Sequence, residues 1–189
     1  MRLFIAIALP DDVRSALAQF IEELRATAPK AKWVRAENLH VTLKFLGETD
    51  AAKLPSIQTR LGSVRGTEPI TLSFHRLGFF PNERWPRVFW VGMETSVKLI
   101  LLAEAIDEEM HGLGFPLEKH AFTPHLTLAR FEPPGMPAQL DAAAEQNAKR
   151  SFGALTTGEF HLIESKLKPT GAEYTTMQSF PFCRELSPS

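Results

Sequence analysis

The sequence is poor in cysteine and in long apolar runs, and both shortages narrow the possible functions. Its 189 residues include one cysteine, Cys183, which excludes an internal disulfide and a cysteine cluster for structural zinc. We therefore expect a cytoplasmic protein, because proteins of this reducing compartment are rarely stabilised by disulfides. The N-terminal run MRLFIAIALP is interpreted as a strand, and no run approaches the roughly 20 apolar residues that cross a bilayer, so we expect no membrane partner.

The sequence also lacks an excess of either charge. It contains 21 basic and 22 acidic residues, for a net charge of -1 with neutral histidines. Without an overall positive field, long-range attraction of nucleic acid is weak, and any recognition of phosphate must be local. The 44% apolar and 23% charged composition is typical of a globular protein. We expect a monomer that needs no cofactor and no metal.

What the sequence does contain is an internal repeat with a shift of 85 residues. The shift places HVTL, which begins at His40, on HLTL, which begins at His125. Without a gap, it also places RLFIAI (Arg2 to Ile7) on RVFWVG (Arg87 to Gly92). Each half then reads as a strand, a helix and a motif strand.

The repeat predicts one bilobal domain over residues 1–189. Lobe one covers about 1–80 and lobe two about 86–182, with terminal strands that can exchange between the lobes. The proline-bracketed loop Phe79 to Pro86 is predicted as the boundary. Helical spacing predicts two apolar stripes, which consist of Val13, Leu17, Phe20, Ile21 and Leu24 in the first half and Ile100, Leu101, Ala103 and Ile106 in the second.

The pleat of a strand decides which motif side chains face the same way. In an unbroken strand His40, Thr42 and Lys44 share one face, and Phe45 points to the other. The same alternation turns Arg130 away from the second histidine. If a two-fold axis relates the lobes, the two His/Thr faces meet across a cleft. Lys44 would then attract phosphate on one lobe only, unless it is an exposed lysine at a strand edge.

Two imidazoles around one cleft suit acid–base chemistry. Their ordinary pKa near 6.5 lets one be protonated while the other is neutral, and the hydroxyls of Thr42 and Thr127 suit non-bridging phosphoryl oxygens. Two histidines with hydroxyls lack the three or four ligands that zinc prefers, and His120 lies outside the repeat. The reaction class indicated is phosphoester cleavage without metal. Paired histidines with only a structural role remain an alternative.

The motifs HVTLKFLG and PHLTLAR, preceded by RLFIAIALP, resemble the signatures of the two-histidine phosphoesterase superfamily. Within it the sequence is most similar to the bacterial and archaeal RNA 2′,3′-cyclic phosphodiesterases, historically called 2′-5′ RNA ligases. The resemblance extends to FFP…PRVFWVG and SKLKPTGAEY. It implies an α+β fold in which two antiparallel sheets, related by a pseudo-two-fold axis, line a central cleft with the helices outside.

The resemblance also implies roles for individual residues. These are proton donor for His40, proton acceptor for His125, phosphate binding for Thr42 and Thr127, and contacts with the base and phosphate of the substrate for Phe45 and Arg130. The last two assignments conflict with the pleat, unless the strands bend or end before those residues.

The implied reaction is hydrolysis of a terminal 2′,3′-cyclic phosphate of RNA to a 2′-phosphomonoester, with reverse 2′-5′ ligation as a side activity. The partner would be RNA with such an end, for example tRNA halves or short oligonucleotides. Two alternatives stay open. One is a smaller cyclic phosphate as substrate. The other is a binding module that senses RNA ends without turnover.

Overall fold

The computed structural model of the protein describes residues 1–66, 68–135, 137–169 and 171–182, so Cys183 lies outside the described residues. The helices are α1 (Asp11–Arg25), α2 (Leu54–Leu61), α3 (Val97–His111) and α4 (Ala138–Gln146). The strands are β1 (Arg2–Ala8), β2 (Lys32–Trp33), β3 (His40–Glu48), β4 (Ile70–Phe80), β5 (Val88–Thr95), β6 (His125–Arg130), β7 (Ser151–Thr157), β8 (Glu159–Lys168) and β9 (Gly171–Pro181). Short 3-10 turns cover Ala36–Asn38 and Ala51–Lys53.

Two antiparallel sheets organise these elements and confirm the predicted α+β class. Sheet one has the strand order β3-β1-β8-β9, and sheet two has the order β2-β6-β5-β4-β7. The repeat is visible in this topology, because β1 pairs with the motif strand β3 in the same way that β5 pairs with the motif strand β6. The two motif strands therefore occupy equivalent places in the two sheets.

Four strands lie in the sheet of the other half: β2 and β4 join sheet two, and β8 and β9 join sheet one, whereas β7 stays with its own half. β4 pairs with β5 and β7 of sheet two, whereas β8 pairs with β1 in sheet one and carries β9 on its outer side. The loop predicted as the lobe boundary joins two neighbours within sheet two, where Phe79 pairs with Phe89 and Phe80 pairs with Val88. It closes an antiparallel hairpin instead of separating the two sheets.

The two long helices differ in how well their sequence predicted the buried face. All five residues of the predicted α1 stripe are buried. In α3 the prediction was wrong at Leu101, whose side chain is 56% exposed, and at Ile100, which is only partly buried. The buried residues there are Leu99, Leu102, Ala103, Ile106 and Met110. The run LILLA is apolar on every side, so packing and not pattern selects its buried face. None of the helices in the described ranges is long and apolar enough to cross a membrane.

Strand β1 is buried on both faces and supplies the floor of the cleft. Leu3, Ile5 and Ile7 belong to the main core. Each fully buried side chain of this size stabilises the fold by about 2 kcal/mol. Phe4 and Ala6 belong to a small cluster on the opposite face. The His40 ring of β3 lies against Phe4 on this opposite face, so the core on one side of β1 supports the cleft on the other.

Candidate active site

The cleft lies where the motif strands β3 and β6 approach each other. Two adjoining cavities of about 460 and 690 Å³ form it. His40 lines the smaller cavity and His125 the larger one, whereas Thr42 and Thr127 line both. The structure therefore brings the two predicted His/Thr pairs to one cleft, with the threonines at its centre and one histidine towards each end.

Both motif strands contain a β-bulge at the same place in the repeat. In the ladder of β3 with β1, Leu43 is skipped between the pairs formed by Thr42 and Lys44. In the ladder of β6 with β5, Leu128 is skipped between the pairs formed by Thr127 and Ala129. A bulge inserts one unpaired residue and reverses the alternation of the side chains after it. The two strands therefore change faces just after the threonine.

The bulges overturn the prediction that the pleat makes for Phe45 and Arg130. Phe45 is 54% exposed and Arg130 is also exposed, and both line both cavities. The expectation that they point away from the cleft assumed unbroken alternation over five residues, which the extra residue interrupts. Each motif therefore presents a third side chain to the cleft, an aromatic ring in β3 and a guanidinium in β6.

Lys44 is turned inward by the same bulge. Its side chain is 1% exposed, its ammonium pairs with Asp107 of α3, and it donates to the carbonyl oxygen of Pro116 at 2.9 Å. Asp107 also accepts from the backbone N–H of Glu118 at 3.1 Å. The prediction of a free phosphate-attracting lysine was wrong, and so was the exposed alternative. The charge is neutralised, and Lys44 anchors the segment that leads from α3 to β6.

The two imidazoles are oriented by the same hydrogen bond. Nδ1 of His40 lies 2.7 Å from the carbonyl oxygen of Asn38, and Nδ1 of His125 lies 2.8 Å from that of Thr123. A carbonyl oxygen only accepts, so Nδ1 carries the hydrogen and Nε2 is left for the cleft. Asn38 is itself held by donating from its side-chain amide to the carbonyl oxygen of Ala172 at 2.7 Å.

Aromatic rings contact both imidazoles. The His40 ring lies 4.7 Å from the Phe4 ring and 5.4 Å from the Tyr174 ring, and the Phe80 ring meets His125 edge-on at 4.9 Å. Reasoning from the sequence missed these three neighbours, because they belong to β1, β9 and β4 and have no fixed spacing from the motifs. One weak signal existed, since Tyr174 is the single tyrosine of the chain and lies within the SKLKPTGAEY stretch.

This environment lowers the pKa of both histidines. Burial is the main cause at His40 and at His125, because an apolar surrounding disfavours the imidazolium. The backbone carbonyl on Nδ1 opposes the shift, and the guanidinium of Arg130 adds to it. The pKa of Tyr174 is raised, again mainly by burial. The free protein therefore favours neutral imidazoles near neutral pH.

The described residues contain no group of three or more His, Cys, Asp or Glu side chains placed to hold a metal ion. His120, the third imidazole considered from the sequence, is exposed in the segment before β6 and lines the larger cavity. The two motif strands therefore supply the cleft with two imidazole Nε2 atoms, two hydroxyls and one guanidinium. These groups can transfer protons and hold an anion.

The chain is similar to known proteins over most of its length. The family model described as LigT-like phosphoesterase matches residues 7–90 and again residues 91–174. An RNA 2′,3′-cyclic phosphodiesterase of Archaeoglobus fulgidus is 36% identical over 180 residues, which cover 95% of this chain and 99% of the relative.

Solved structures show the same architecture. A Thermus thermophilus protein superimposes with a TM-score of 0.79 at 32% identity, covering 96% of this chain and 98% of the other. The structure of E. coli LigT complexed with 3′-AMP superimposes with a TM-score of 0.74 at 27% identity, covering 97% and 98%.

Proposed function

Because the chain belongs to the LigT-like phosphoesterase family, which both its halves match, we propose that it hydrolyses the terminal 2′,3′-cyclic phosphate of RNA to a 2′-phosphomonoester. The observation that carries the proposal is the pair of imidazoles in one cleft, each with Nδ1 bound to a backbone carbonyl and Nε2 free. Such a pair supplies one proton donor and one proton acceptor without any further group.

In the proposed reaction His125 accepts a proton from water at Nε2, and the water oxygen forms a bond to phosphorus. The bond from phosphorus to the 3′ oxygen breaks, and His40 donates its Nε2 proton to that oxygen. The 2′ oxygen keeps the phosphate. One proton is taken up and one is released, so the two histidines exchange protonation states and must be reset by solvent before the next turnover.

The other cleft residues would hold the anion and the nucleotide. The hydroxyls of Thr42 and Thr127 can donate to the non-bridging oxygens, where negative charge accumulates in the transition state. Arg130 supplies a local positive charge, which matters because the chain as a whole has a net charge of -1. Phe45 offers a ring that is 54% exposed in the cleft, which suits stacking on a base.

The depressed pKa values set a condition on this mechanism. The donor must be protonated when substrate binds, yet burial and Arg130 both disfavour the imidazolium. A bound cyclic phosphate brings a negative charge beside His40 and Arg130, which favours protonation of the donor. We therefore expect the donor to take up its proton together with the substrate.

The first experiment is incubation of the protein with EDTA and a short RNA that ends in a 2′,3′-cyclic phosphate, with the product identified by phosphorus NMR. A 2′-phosphate whose formation requires both histidines is the expected result. A 3′-phosphate would contradict the assignment of the leaving oxygen. Bound RNA without turnover would favour the RNA-end sensor, and activity that strictly needs an added divalent metal would contradict the two-histidine mechanism.

Reverse joining of a cyclic phosphate to a 5′-hydroxyl would use the same two histidines by microscopic reversibility. The sequence has no nucleotide-activation motif to drive it, so we expect it only as a side activity near equilibrium. Incubation of the 2′-5′ linked product with the protein tests this, because cleavage back to the cyclic phosphate should then be observed.

A further inference from the structure

The loop between β4 and β5, residues 81–87, carries a tryptophan that the fold leaves in solvent. Trp85 is 62% exposed. The other two tryptophans are partly buried, and Trp33 donates its indole N–H to the carbonyl oxygen of Ala28 at 3.0 Å. A large ring that is mostly exposed is a candidate for binding, because tryptophan is otherwise buried to a large extent.

Backbone hydrogen bonds hold this loop in place. The side chain of Asn82 accepts from the N–H of Trp85 at 3.0 Å, and the N–H of Arg87 donates to the carbonyl oxygen of Phe80 at 2.7 Å. Pro86 is buried, and its carbonyl oxygen accepts from Gly135 at 3.2 Å. Trp85 is therefore presented from a preformed turn, which lowers the entropy cost of contacting a ligand.

The loop continues the wall of the cleft. Phe80, Val88 and Arg130 lie in register on β4, β5 and β6, and all three line the larger cavity. The loop starts one residue after Phe80, whose ring contacts His125, and ends one residue before Val88. A polymer that leaves the cleft past Arg130 meets this loop next.

The same rim is rich in positive charge. Arg84 and Arg87 are exposed, and neither forms an ion pair with any other residue in the described part of the chain. Glu132 pairs with Lys32, and this contact is the main reason why the pKa of the Glu132 carboxyl group is lowered. Arg130 and Arg87 lower it further by smaller amounts. Cations therefore outnumber carboxylates here, with Lys32, Arg84, Arg87 and Arg130 against Glu83 and Glu132, although the whole chain is slightly acidic.

We propose that loop 81–87 binds the single-stranded nucleotides that precede the cyclic phosphate of the RNA substrate. Trp85 stacks on one of their bases, and Arg84 and Arg87 contact backbone phosphates. An exposed aromatic ring between cations is the arrangement that binds single strands with little dependence on sequence. The proposal deepens the proposed function and rests on it, because it makes the oligonucleotide a better substrate than a mononucleotide.

The test compares two substrates, a nucleoside 2′,3′-cyclic monophosphate and a six-nucleotide RNA with the same 3′ end. Trp85→Ala is expected to lower the ratio of kcat/KM for the RNA to that for the mononucleotide by about tenfold, which corresponds to the loss of one stacked base. Trp85→Phe should recover most of this ratio. Arg84→Ala and Arg87→Ala should each reduce the slope of log kcat/KM against log salt by about 0.7 for the RNA only.

The matched control is Val97→Ala, another exposed apolar side chain (64% exposed) at the start of α3. It should leave the ratio unchanged. A Trp85→Ala variant with an unchanged ratio would overturn the proposal, whether its activity on both substrates is normal or equally reduced.

A binding measurement separates failure of this proposal from failure of the proposed function. In the turnover-deficient background His40→Ala/His125→Ala, the affinity for the fluorescently labelled six-nucleotide RNA is measured by anisotropy with and without Trp85→Ala. A weakening of about tenfold supports the loop as an RNA surface even if hydrolysis is absent. Equal affinities would overturn the loop proposal while leaving the chemistry of the two histidines intact.

Discussion

The two motif strands, β3 and β6, are alike in backbone and different in what they present to the cleft. Each has a leucine bulge directly after its threonine, and each histidine donates from Nδ1 to a carbonyl two residues earlier. The side chain five positions after the histidine differs, since Phe45 stands in one strand and Arg130 in the other. The repeat therefore keeps the two histidines, to which we assign proton transfer, and varies the residue that we propose contacts the nucleotide.

The surroundings of the two histidines differ as well. His40 contacts Phe4 and Tyr174 in the smaller cavity, whereas His125 contacts Phe80 in the larger one. The sequence is symmetric between donor and acceptor, but the tertiary structure is not. A duplicated strand can thus place its two histidines in different surroundings, because their neighbours come from unrelated parts of the fold.

The strongest test of the comparison is removal of each imidazole. We expect His40→Ala and His125→Ala each to lower kcat by about 1000-fold with EDTA present, because each loses one of two proton transfers. The matched control is His75→Ala, since His75 lies on β4 and faces Glu94 instead of the cleft. Loss of activity in only one of the two variants would contradict the paired mechanism.

Lys44 breaks the symmetry in a second way, because Ala129 stands at the same place in β6. We expect Lys44→Met to lower the free energy of unfolding by about 3 kcal/mol, since Asp107 loses the partner of its charge in a largely buried place. Urea unfolding measures this. The control Lys98→Met removes the exposed pair with Glu68 and should cost below about 1 kcal/mol. Equal losses of unfolding free energy in the two variants would show that the buried Lys44–Asp107 pair stabilises the protein no more than an exposed pair does.

The two threonines test whether both halves hold the phosphate. We expect Thr42→Val and Thr127→Val each to lower kcat by about 100-fold, because an isosteric side chain without the hydroxyl removes one donor to the transition state. Thr→Ser at either position should retain most of the activity. If the valine variants were as active as the serine variants, the hydroxyls would have no part in the reaction. Unequal losses would show which half carries more of the charge.

Arg130 has the smallest expected effect, which is on the position of the pH profile. Burial and the Arg130 guanidinium both lower the histidine pKa values, so the bell of kcat/KM for the free enzyme should be centred below pH 6.5. Arg130→Gln removes one cause and should move both limbs to higher pH, whereas Arg130→Lys should leave them in place. If Arg130→Gln lowered kcat/KM at every pH without moving the profile along the pH axis, the role of Arg130 would be limited to substrate binding.

Much of the fold was predictable because its signals are local. The apolar stripe of α1 repeats every three to four residues, and the strands β1 and β5 are short apolar runs that superimpose under the 85-residue shift. The stripe of α3 was not predictable at Leu101, since an apolar run without a polar side gives no direction. The exchange of β2, β4, β8 and β9 between the sheets was not predictable strand by strand, because it depends on pairing between residues far apart in the chain.

The sequence by itself determined the pairing of two His/Thr motifs, their place at the start of two strands and the near-neutral charge that makes phosphate recognition local. The folded arrangement was needed to see that Phe45 and Arg130 reach the cleft, that Lys44 is buried against Asp107, and that Tyr174 and Phe80 flank the histidines. The physical reason is that strand alternation is a local property, whereas a bulge is defined only by register with a partner strand. For β3 and β6 that partner lies more than thirty residues earlier in the chain.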